Sequence, residues 1–88
     1  MTQIHKFVLA GIGRVLDVEM CEDTHLVSVQ AQRNMIYMWG IVPKLDKPKV
    51  VRKFIAVGTG WDIDFKNGSF YGTVQIDQFV WHVFEVLP

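Results

Sequence analysis

The sequence predicts an all-β domain: a small antiparallel meander of about seven strands, closed as a barrel or folded as a sandwich, with little or no helix. Three observations carry this reading. Several short segments alternate apolar and polar residues with a period of two, as a strand with one buried face does. Others are apolar on both faces, and their shortness and their β-branched and aromatic content favour strands over buried helices. Turn-forming residues separate the segments, and no stretch holds helical spacing over three turns.

The elements follow in chain order. "IHKFVL" at 4–9 sets His5, Phe7 and Leu9 against Ile4, Lys6 and Val8, and "GIG" at 11–13 ends it. "RVLDVEM" places Leu16, Val18 and Met20 opposite Asp17 and Glu19, and "CEDTH" at 21–25 leads out of it. "VSVQAQ" puts Val27, Val29 and Ala31 on one face and Ser28, Gln30 and Gln32 on the other, with "QRN" at 32–34 short enough for a tight hairpin. "MIYMWGIV" at 35–42 is apolar on both faces, as are "FIAV" at 54–57 and "FVWHVFEVL" at 79–87. These three are expected to be central strands or strands at a subunit interface. Core packing is the expectation for Trp39 and Trp81. Between them, "PKLDKPK" at 43–49 reads as a polar connection whose prolines cannot donate within a ladder. "SFYGTVQI" sets Phe70, Gly72, Val74 and Ile76 against Ser69, Tyr71, Thr73 and Gln75. Asn67-Gly68 before it is the strongest short hairpin signal in the chain, and "IDQ" at 76–78 makes the last hairpin.

At 88 residues the chain is one domain, residues 1–88, with a simple core. Half its residues are apolar, so part of that surface is expected to be covered by another subunit. Nine basic side chains balance nine acidic ones, so no net field draws the chain to nucleic acid or to an anionic membrane. Cys21 is the single cysteine, which excludes an intramolecular disulfide and fits a reducing, cytoplasmic setting. The apolar run near the start meets Asp17 and Glu19 too early for a signal-peptide core or a membrane span.

"VGTGWDID" at 57–64 is the stretch closest to a chemical motif. Its Gly-Thr-Gly lacks the Lys-Ser/Thr of a P-loop and the third glycine of a dinucleotide fingerprint, and no helix follows to face a phosphate. Gly58 and Gly60 therefore read as the end of a strand, supplying positive φ or close backbone approach. Asp62 and Asp64 have no further ligands in a calcium-loop pattern, and His5, His25 and His82 lack paired zinc spacing, so no metal and no cofactor are expected. His82 reads as a ring hydrogen-bonded in or beside the core. Cys21 sits beside Glu22 and Asp23, and no nucleophile–base pattern marks an enzyme. What remains is aromatic. Trp61, after the glycine turn, is expected at a rim or groove, where with Arg52, Lys53 and Tyr71 it would form an aromatic and basic surface able to stack a nucleotide.

The order "IHKF", "VSVQAQ" followed by a strand ending in "MWGIV", "RKFIAVGTG" and "YGTVQIDQFVWHVFE" resembles a family of small proteins of unknown function in bacteriophages and prophages. The resemblance covers nearly the whole chain, and "VGTG" and "FVWHVFE" are its most specific parts. It implies a phage-encoded accessory protein in the host cytoplasm, dispensable for building the virion, and it brings no catalytic or binding residues. The expected function is non-enzymatic binding to a host or defence protein, as a homo-oligomer. Sequestering a nucleotide near Gly58, Gly60, Trp61, Arg52 and Tyr71 is the alternative.

Overall fold

Two packed β-sheets make the fold, seen in a computed structural model that describes residues 2–88. The strands are β1 (Gln3–Leu9), β2 (Leu16–Cys21), β3 (His25–Gln32), β4 (Met35–Val42), β5 (Lys49–Gly58), β6 (Gly68–Ile76) and β7 (Phe79–Val86). One sheet has the order β1-β4-β3 and the other β2-β5-β7-β6, with every pairing antiparallel. The closure is an open sandwich. The strands apolar on both faces supply its interior strands, β4 in the first sheet and β5 and β7 in the second. A strand flanked by sheet on both edges loses the most solvent, so the segments with no polar face occupy those places.

The core lies between the sheets. Leu9, Leu26, Val29, Ile36 and Met38 meet Met20, Phe54, Ala56, Val74 and Val83 across it. Phe54, Met38 and Val83 are wholly buried. On β1 and β2 the expected alternation holds: Leu9 and Met20 point inward, while Ile4, Lys6 and Val8 remain exposed.

Two strands depart from simple alternation, each at a β-bulge. In β3 the pairing with β4 shifts between Leu26 and Ser28, so Val27 leaves the face expected for it and is 50% exposed. In β6 the pairing with β7 shifts between Phe70 and Gly72. The extra residue, Tyr71, turns inward to pack on the core, and Phe70 turns out to 59% exposure. A bulge sets two residues against one, so the face assignment flips across it. Here that keeps both Leu26 and Val29 inside on β3, and Val74 inside on β6.

Turn chemistry accounts for two hairpins and against a third. Arg33 and Asn34 both adopt positive φ, the signature of the two-residue type I′ turn between β3 and β4. Asp77, also at positive φ, turns β6 into β7. Asn67-Gly68, however, makes no hairpin. β5 and β6 both pair with β7 and so run parallel to each other, and parallel strands need a crossover rather than a tight turn. Segment 59–67 makes that crossover. It brings Phe65 against Phe84, with ring centroids 5.4 Å apart, and Asn67 O accepts a hydrogen bond from Leu87 N at 3.0 Å.

Trp39, expected in the core, lies on the outer face of its sheet. β4 buries Ile36, Met38, Gly40 and Val42, which leaves its odd-numbered residues outside.

Phe54→Ala is expected to destabilise the fold by about 4 kcal/mol, from lost transfer energy and the cavity left behind. Val27→Thr, at the bulge, should change stability by less than about 0.5 kcal/mol. Urea denaturation of the two variants checks both, and a large cost at Val27 would refute the face assignment.

Candidate functional site: an aromatic groove and a buried charge cluster

The glycine turn is closed by a hydrogen bond from Trp61 N to Gly58 O at 3.1 Å, with Gly60 at φ 87° in its third position, as a type II turn requires. Gly60 faces open space, so its role is backbone conformation alone. Gly58 serves differently: a Cβ there would lie 2.8 Å from the Trp61 indole. Because Gly58 pairs with Trp81 across β5 and β7, the Trp61 ring laid over Gly58 meets Trp81. Their centroids are 5.3 Å apart at 78°, an edge-to-face contact, and Phe79 stacks on Trp81 at 6.0 Å. Trp61 is 50% exposed and Phe79 55%. A groove of about 380 Å³ opens between them, lined also by Thr59, Gln78 and Val80. No lining residue is charged.

Arg52 and Tyr71 do meet, but elsewhere. Arg52 lies six residues before Gly58 on β5, roughly 20 Å away at strand rise. Its guanidinium grips Glu85 with two bonds, Nε to Oε2 and Nη2 to Oε1, each 2.7 Å. Nη1 donates to Thr24 O at 2.8 Å, and the Tyr71 hydroxyl donates to Glu85 Oε1 at 3.0 Å. The ion pair is mostly buried, with side-chain exposures of 21% for Arg52 and 11% for Glu85. The hydrogen bonds from Arg52 hold the Glu85 carboxyl below its usual range, against the opposing push of burial. The Arg52 guanidinium is raised, chiefly by the same bonds to Glu85. Burial, then the bond to Glu85, raises the Tyr71 phenol. The expected surface joining Trp61, Arg52, Lys53 and Tyr71 therefore does not form: Arg52 is turned inward, and Lys53 pairs with Asp17 at 2.8 Å.

Over residues 1–88 the chain matches the model of DUF7352, a domain of unknown function. The chain belongs to the DUF7352 family. No curated protein and no solved structure matches it.

The remaining candidates of this DUF7352 chain are His82, Asp62 and Asp64. Both nitrogens of the His82 ring are engaged by threonine hydroxyls, Nε2 with Thr59 Oγ1 at 2.8 Å and Nδ1 with Thr73 Oγ1 at 3.0 Å. Asp62 and Asp64 are exposed. Among the described residues no cluster of three or more His, Cys, Asp or Glu side chains is placed to hold a metal ion.

Glu85 is the residue that sequence reasoning passed over. Its signal lay in the alternation: Trp81, Val83 and Glu85 share one face of β7, and Arg52, Phe54 and Ala56 share one face of β5. Opposite charges at inward positions of two neighbouring apolar strands call for a pair.

Glu85→Gln leaves the Arg52 charge buried without its counter-ion and should cost about 3 kcal/mol in urea denaturation. Because the folded Glu85 carboxyl titrates below its unfolded value, its contribution is complete above about pH 4.5 and is lost as pH falls below it. The wild type should therefore lose more stability on acidification than the Gln variant does. Gly60→Val should cost about 1–2 kcal/mol from positive φ alone. An unchanged thermal midpoint would refute the turn assignment.

Proposed function

We propose that this chain is a non-enzymatic binding module that engages a protein partner at the groove of Trp61, Phe79 and Trp81. The observation that supports this is the chemistry of the lining: exposed aromatic rings with no charged residue among them. Exposed aromatic rings in a water-shedding concavity are the residues that act as hot spots for a partner's apolar side chain. The glycine turn holds Trp61 in place before any partner arrives, which reduces the ordering cost of association. A nucleotide is a poorer occupant of this groove, since Arg52, the cation meant for its phosphate, is committed to Glu85.

The setting belongs to the same proposal: a phage-encoded accessory protein in the host cytoplasm, binding a host or defence protein. Self-association accompanies it, because Val51 and Phe70 also present apolar surface outside the groove, on the four-stranded sheet.

Trp61→Ala and Phe79→Ser remove the proposed contacts from exposed positions. Capture from host lysate with wild type and both variants as bait, followed by mass spectrometry, tests the reading. A partner retained by wild type and lost, by about tenfold or more, with each variant is the expected result, since one hot-spot side chain carries about 2 kcal/mol or more. Equal retention by all three would exclude the groove as the binding surface.

A further inference from the structure

The outer face of the β1-β4-β3 sheet carries a second set of aromatic side chains, with a different chemistry. β4 turns Tyr37 and Trp39 outward, their ring centroids 6.2 Å apart. Lys6 on β1 is registered opposite Trp39, and β3 supplies Ser28, Gln30 and Gln32 on the other flank. Lys6 Nζ stands 4.0 Å from the Tyr37 centroid and 5.7 Å from that of Trp39, and donates to Gln32 Oε1 at 2.7 Å. Arg33 sits at the hairpin end of the same sheet, where a hollow of about 460 Å³ is bounded by Lys6, Gln32, Arg33 and Tyr37. None of the outward positions of β1, β3 or β4 is Asp or Glu.

The charge balance of the whole chain conceals this distribution. Nine acidic residues match nine basic ones, yet this face, which also exposes Ile4, Val8 and Val27 on its edge strands, has cations, amides, hydroxyls and rings with no carboxylate among them. An apolar protein surface laid over it would bury Lys6 and Arg33 without counter-charges, at a steep desolvation cost. A ligand with phosphates supplies those counter-charges, and its bases supply flat partners for the rings. Bases stacked within a duplex cannot offer their faces to side chains, so the fit is to an unpaired strand.

We propose that this face binds single-stranded nucleic acid, with phosphates at Lys6 and Arg33 and a base stacked on Trp39. Gln30 and Gln32 lie where amide groups reach base edges. Lys6 exchanges its place over Tyr37 for a phosphate, which frees a second ring for the next base. With two cations engaged, affinity is modest and falls with salt at a logarithmic slope of about −1.4.

Fluorescence anisotropy of labelled oligothymidylate and oligouridylate, with the full chain at low salt, tests this. Saturable binding is expected for the strands and not for a DNA duplex. Trp39→Ala should weaken it about tenfold, the loss of one stacked base. The double variant Lys6→Gln, Arg33→Asn should flatten the salt dependence, asparagine being chosen because it tolerates the positive φ at that position. Trp61→Ala should bind as wild type does, which separates this site from the aromatic groove. Circular dichroism checks folding, and Trp39→Leu, which keeps apolar bulk without a ring face, replaces the alanine variant if that fails to fold. Absence of saturable binding, or equal binding by wild type and the Trp39 and Lys6/Arg33 variants, would overturn the proposal. So would thymidine monophosphate competing as well as the strand, which would make the ligand a free nucleotide. A fall in solution mass on Trp39→Ala would reassign the face to self-association.

Discussion

The space between the two sheets can be filled only by alternate residues of each strand, and the rest of the structure answers to that constraint. A strand has two faces and a fixed period, so one misplaced residue turns every following side chain the wrong way. This chain meets the constraint in β1 and β2 by plain alternation and in β3 and β6 by inserting a residue. The two bulged strands pack against each other, with Val29 of β3 beside Gly72 of β6. Correcting both along one side of the sandwich keeps Leu26, Val29 and Val74 in a common interior.

The same constraint explains how much could be read from the sequence. The seven strands, the hairpins at Arg33-Asn34 and Asp77-Gln78, and the interior places of "MIYMWGIV", "FIAV" and "FVWHVFE" were legible because period and turn residues are local properties. Strand order was not. Asn67-Gly68 has the local chemistry of a hairpin, but whether its flanking strands are neighbours depends on where β7 inserts, and that is decided by two-sided burial of a segment still to come. Bulges were hidden for a similar reason: only pairing with β4 or β7 reveals that Val27 or Tyr71 is the surplus residue. At the groove, Gly58, Gly60 and Trp61 came together as expected because they lie within one turn. Arg52 and Tyr71 belonged to another place, since strand geometry carried them to the far end of the sheet.

A small domain of this design has little interior to spare for polar groups, and it concentrates them. Arg52, Glu85, Tyr71 and the carbonyl of Thr24 satisfy one another at one end of the sandwich, and no side-chain nitrogen or oxygen among the described residues is left buried without a partner. A half-satisfied cluster would be worse than an apolar core, whereas a complete one ties three strands and a loop to a single arrangement. With its one inward-facing arginine consumed there, the opposite end is free to be aromatic and uncharged. The uncharged aromatic groove and the internal charge pair are thus kept about a strand's length apart.

β7 occupies the middle of the four-stranded sheet although it is the seventh element along the chain. During synthesis β5 and β6 emerge without the strand that will lie between them, and the edges that face it stay unpaired until residues 79–86 follow. Sheet assembly is therefore a late event in the life of each nascent chain, dominated by long-range pairings that close slowly. The exposed edges of β5 and β6 during that interval are where a chaperone would bind and where a neighbouring nascent copy would insert in error.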